Sequence, residues 1–113
     1  MTYAPPQFPT GSSLAELCRE IKFVDAKTRE LGPWKSGAFS ILASHGCLAG
    51  WIKKKDGGTE ASEEDIMRLL VAVSSCCLTT ALALTQWASA VRIISRGNEK
   101  VRAMFLPDLA AGR

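Results

Sequence analysis

His45 is the only histidine of the chain, and Cys18, Cys47, Cys76 and Cys77 are its four thiols. Such side chains can bind zinc or run nucleophilic catalysis. A zinc site needs several ligands at converging spacings, and here no C-x-x-C pair exists. Cys18 and the Cys76-Cys77 pair lie among apolar helix positions. A free thiol there behaves as a small hydrophobe, so the cysteines read as buried and reduced. His45 falls near a predicted helix end, where a cation is favoured by the dipole. No serine or cysteine nucleophile motif surrounds it, which makes it structural rather than catalytic. Lys53-Lys54-Lys55 could meet phosphate, but it lacks interleaved aromatics and is no glycine-rich cradle; it reads as a solvated loop. Gly57-Gly58 reads as a turn and not as a dinucleotide fingerprint. Trp34, Trp51 and Trp87 read as packing anchors.

The elements that must position these residues fit one domain. The chain has 113 residues, 47% of them hydrophobic and 22% charged, as in ordinary globular proteins. A net charge of +3 without a clustered basic face argues against nucleic acid as partner. Met1 to Gly11 holds three prolines and reads as an extended, mobile arm. The arm has no apolar h-region, so the cytosol is the expected compartment.

A first helix is predicted from an S-x-x-E capping box at Ser13 and Glu16. Leu14, Leu17, Ile21, Val24 and Leu31 fall on its inner face, with Thr28 filling the gap. Gly32-Pro33 stops it, since proline cannot continue the ladder. A second helix is expected from about Ser36 to His45, with Phe39, Leu42 and Ala43 inward and Gly46 as its left-handed cap. Cys47 to Ala61 reads as a loop. Ser62 opens the third helix, whose acidic first turn of Glu63, Glu64 and Asp65 suits the positive end of the dipole. Its inward stripe is Ile66, Leu69, Leu70 and Val73. A break is expected between Ser74 and Thr79, then a fourth helix from about Thr80 to Arg96, capped by Gly97. A short helix from Glu99 ends at Pro107. No strand alternation is visible, and the fold class is all-α, a bundle of about four to five helices.

Leu69 to Val91 carries no charge. That run could cross a bilayer, which takes about 20 apolar residues. Seven polar groups within it, Ser74, Ser75, Thr79, Thr80, Thr85, Gln86 and Ser89, argue against lipid. The flanks also lack a positive-inside asymmetry. The favoured reading is two consecutive core helices, apolar nearly all round. Two such helices need more cover than the rest of the chain provides, so some apolar surface is expected to mark an interface.

The order of motifs resembles the N-terminal α-helical domain of flavin-dependent acyl-CoA dehydrogenases, from about Leu14 to Arg113. Ser44-His45-Gly46-Cys47-Leu48-Ala49-Gly50-Trp51-Ile52 with Gly57-Gly58 is similar to the family's "hGl.G..vPeeyGG" segment. Thr79-Thr80-Ala81-Leu82-Ala83-Leu84 is similar to its "STALAL" helix start. Gly97-Asn98-Glu99-Lys100-Val101-Arg102 with Phe105-Leu106-Pro107-Asp108-Leu109-Ala110-Ala111-Gly112 is similar to "G.eeqk.ryLP.lasGe". Lys53 departs from the usual proline, Lys54-Lys55 from acids, Val71-Ala72 from a frequently acidic pair, and Cys77 from a frequent aspartate. The sequence is a divergent one.

The resemblance implies Cα–Cβ oxidation of an acyl-CoA thioester in the full-length family, with a carboxylate taking the proton and FAD the hydride. It places the FAD site and the catalytic glutamate in a β-domain and a C-terminal helical domain. The "TEP..GSD" segment of the β-domain would begin soon after Gly112. Residues 12–113 are therefore expected to be the N-terminal domain alone, on a truncated or split chain that holds no FAD and is inactive by itself. Residue matching implies that Thr80, Ala81 and Leu84 form part of the acyl-pocket wall; plain helix packing is the alternative for each. The other reading of the whole chain is a stand-alone helical module that forms a homo-oligomer through its apolar hairpin.

Overall fold

A computed structural model describes residues 6–31 and 37–112, with the side chains of residues 25 and 27–31 left aside. Five helices follow one another: α1 (Ser12–Leu31), α2 (Gly37–Ser44), α3 (Glu63–Cys76), α4 (Leu78–Ser95) and α5 (Glu99–Ala110). Two short 3₁₀ turns, η1 (Leu48–Trp51) and η2 (Lys54–Asp56), lie between α2 and α3. No strand occurs among the described residues, in keeping with the all-α expectation.

Local chemistry sets several boundaries as expected. The Ser62 side chain accepts the Asp65 amide and caps α3, with Glu63, Glu64 and Asp65 in its first turn. Gly46 closes α2 at φ +75, and an added Cβ there would lie 2.4 Å from the Pro6 carbonyl oxygen. The interruption between α3 and α4 is one residue long: Cys77 is extended at φ −160 and ψ 99, ending one helix and capping the next.

Other boundaries differ. The capping box at Ser13 and Glu16 does not form. Gly11 takes φ +54 and starts the helix at Ser12, so Ser13 already lies in the first turn. Its hydroxyl reaches back, accepting the Thr10 amide at 2.8 Å and donating to the Thr10 carbonyl at 2.6 Å. Helix α5 runs past Pro107 to Ala110. Proline removes one donor from the ladder, and the Ala111 amide still closes the end on the Pro107 carbonyl. The cap of α4 is Arg96, one residue before Gly97, and the Arg96 and Gly97 amides close the helix on the Ile93 and Ile94 carbonyls. The Gly32-Pro33 stop, the Ser36 start and Trp34 lie outside the described residues, as do the side chains of Thr28 and Leu31.

The arm and the expected loop are both drawn into the core. Phe8 and Pro9 are buried, and the Phe8 ring lies over Gly50; residues 1–5 lie outside the described part. Cys47, Leu48, Ala49, Gly50 and Ile52 are buried. Amides of Thr59, Glu60 and Ala61 return to the carbonyls of Ala49, Ile52 and Gly50. Gly58 is tied in so tightly that a Cβ would sit 2.0 Å from the Ile52 carbonyl oxygen. The Arg102 guanidinium anchors this knot to α5, donating to the Gly97 carbonyl and standing 3.5 Å from Asp56.

The main core joins Leu17 and Ile21 of α1, Leu42 of α2, Leu69 and Val73 of α3, and Ala81 and Leu84 of α4. A second cluster holds Ala49, Ile52, Val91, Leu106 and Ala110. The uncharged run is thus not buried all round. Val71, Leu78 and Leu82 are 66%, 63% and 60% exposed. Among the described residues, α1 packs on α3 and α5 on α4, and neither covers Val71, Leu78 or Leu82. No helix among the described residues is long and apolar enough to cross a membrane.

Candidate functional site

Thr80, Ala81 and Leu84 come together on the inward face of α4, at exposures of 1%, 5% and 0%. With Cys77 they follow the i, i+3, i+4, i+7 pattern of one helical stripe. The Thr80 hydroxyl donates to the Cys77 sulfur at 3.1 Å. That bond satisfies a polar group that would otherwise be costly to bury. Ala81 and Leu84 join the core with residues of α1, α2 and α3. The opposite face of α4 shows Leu78, Leu82, Thr85, Gln86 and Ser89 to solvent.

The four thiols gather beside that stripe. Cys47 and Cys77 are buried, Cys18 and Cys76 half-buried, and none of the four forms a disulfide. The Cys18 thiol contacts that of Cys76 and donates to the Ala72 carbonyl at 3.5 Å. Burial pushes Cys47 up to about 12, with Cys18 adding to the effect. Burial, then the contact with Cys18, pushes Cys76 up to about 12 as well. Both are therefore protonated at neutral pH, and a thiol is a poor nucleophile. Among the described residues, no group of three or more His, Cys, Asp or Glu side chains is placed to hold a metal ion.

His45 pairs with Glu20 and fastens the end of α2 to α1. Sequence reasoning assigned His45 to a helix end and missed this partner, because nothing local links two residues so far apart in the chain. Lys53, Lys54 and Lys55 are exposed, as a solvated loop requires.

One concave region was not foreseen. A groove of about 580 Å³ opens between the first half of α3 and the second half of α4. Trp51 stands at its base, with Ile66, Met67 and Leu70 on the α3 side and Ala88 and Ser89 on the α4 side. Exposed Lys53, Glu63 and Arg92 rim it. Trp51 is held by an edge-on contact with Trp87, centroids 5.9 Å apart and planes at 83°. Arg68 engages Glu64 and Asp65 outside the groove. Lys53 and Arg92 have no carboxylate partner among the described residues. The volume lies within the range of about 300–1,000 Å³ common for small-molecule pockets. None of Thr80, Ala81 and Leu84 lines this groove. The only sequence signal for it was a tryptophan in an otherwise charged and glycine-rich segment.

Compared with protein families, residues 14–113 match the family model described as acyl-CoA dehydrogenase, N-terminal domain. Neither the curated proteins nor the solved structures gave a match.

Proposed function

Since the chain belongs to the acyl-CoA dehydrogenase N-terminal domain family, we propose that it serves as the helical domain of a flavin-dependent acyl-CoA dehydrogenase. The family match over residues 14–113 carries this reading. The helix order, with its break at Cys77, supports it. The substrate class is acyl-CoA, and the proposed contribution of this domain is one wall of the acyl-chain pocket, built on α4. Thr80, Ala81 and Leu84 are the residues matched to that role. Their burial means that an acyl chain meets them only from within the fold, where they also fix the angle of α4.

We assign no FAD contact to the described residues. The Gly57-Gly58 turn is closed against the Ile52 carbonyl and leaves no cradle for a pyrophosphate. No catalytic step is therefore assigned to these residues. The proposal gives flavin binding and proton abstraction to other domains of the family's fold, and the chain alone neither holds flavin nor turns over acyl-CoA. Purified protein should show no flavin absorbance and no acyl-CoA-dependent dye reduction. Either signal would sink this part of the reading.

A second reading has its own support in the bare face of Val71, Leu78 and Leu82. A helical module could pair through that face into a homo-oligomer. Light scattering on the isolated chain separates the two. A defined, concentration-stable oligomer supports the module. Aggregation relieved by co-expression with a family β-domain supports the dehydrogenase domain.

A further inference from the structure

We propose that the groove between α3 and α4 binds a free aliphatic monocarboxylate, its chain on Trp51, Ile66 and Met67 and its carboxylate between Lys53 and Arg92. The inference stands apart from the family reading, because the groove contains none of the residues matched to the acyl-pocket wall.

Three observations carry it. First, the volume of about 580 Å³ holds a medium-length alkyl chain. Second, the base is apolar and anchored. Trp51 is fixed edge-on by Trp87, and Ile66 and Leu70 are half-buried against the main core. An alkyl chain laid there removes apolar surface of both partners from water. Third, charge sits only at the rim. Two cations face one acid, Glu63, so the mouth keeps one uncompensated positive charge. That balance suits a singly charged anion and rejects a cationic head of the same size. Both cations lack a carboxylate partner among the described residues, so no existing ion pair has to break when the ligand enters.

The test uses the whole chain and sodium dodecanoate below its micelle-forming concentration, followed by amide and indole NMR shifts. The expected result is saturable binding, with shifts concentrated at Trp51, Met67, Ala88 and Ser89. Dodecyltrimethylammonium, with the same tail and opposite charge, should bind about tenfold more weakly. The double variant Lys53→Gln with Arg92→Gln should weaken dodecanoate binding about fivefold, as exposed ion pairs are individually modest. Ser89→Trp places a bulky ring in the groove from an exposed position and should abolish the saturable shifts. Met67→Asp, also at an exposed position, should do the same and serves if the first variant does not fold. The proposal is overturned by an absence of binding, by equal affinity for the cationic amphiphile, or by shifts centred on Leu78 and Leu82. Unchanged binding to a folded Ser89→Trp or Met67→Asp protein overturns it as well.

Discussion

The two ends of the α3–α4 hairpin behave in opposite ways: the Cys77 end lies inside the uncharged run, and the far end carries Glu63, Glu64, Asp65, Arg68 and Arg92. At the Cys77 end the facing residues are small: Cys76, Cys77, Thr80 and Ala81. Short side chains let the helices and α1 approach, and the space fills with thiols and Leu84. At the other end Trp51, edge-on to Trp87 of α4, lines a groove that opens between the helices. Val71, Leu78 and Leu82 are exposed within the uncharged run, so apolar character alone does not decide burial. Side-chain size, and which face of a helix meets a neighbour, decide it.

Variants at each end can break that contrast. The largest effect is expected for Leu84→Ala at the closed end. Leu84 is fully buried, and truncation should cost about 3 kcal/mol in urea denaturation. A cost under about 1 kcal/mol would mean that the closed end is loosely packed. The next effect is in pH. Cys47 and Cys76 keep their protons in the fold, both pushed up to about 12, whereas unfolded thiols ionise from about 8.5. The stability they hold is complete below the unfolded value and is lost as pH rises toward 12. Cys47, being buried, should dominate, at about 2 kcal/mol lost at pH 10 relative to pH 8. Half-buried Cys76 adds less, because solvent screens it. Thermal melts should fall over that window, and Cys47→Ala should remove most of the slope. At the open end, Ser62→Ala deletes the α3 cap and should cost about 1 kcal/mol by the same urea assay. Leu82→Gln, on the bare face, should change stability by less than about 0.5 kcal/mol. Its readout is light scattering, where self-association should decrease.

The sequence was most legible where a feature depends on neighbours in the chain. Ser62 with Asp65, Gly46, and the cluster of hydroxyls and thiols around Cys77 each announced a boundary that the structure has. Ser13 and Glu16 obeyed the same grammar and failed, because the left-handed Gly11 moved the start by two residues. The family motifs identified the domain family from short ordered pieces. The groupings made by distant residues were not legible. Phe8 over Gly50, Glu20 against His45, and Trp51 edge-on to Trp87 each join segments that no local pattern connects. Thr80, Ala81 and Leu84 were legible as one stripe. Which way that stripe faces depends on where α1 docks, and periodicity carries no information on that.

Cys77 has a mechanical consequence. It is the only non-helical residue between α3 and α4, so the backbone angles of one residue act as the fulcrum of a long lever. The 18-residue arm of α4 is about 27 Å long. A rotation of about 5° at the fulcrum would carry the far tip through about 2 Å over that length. Such a rotation at a sulfur-bearing joint would widen or narrow the groove at the opposite end of the hairpin.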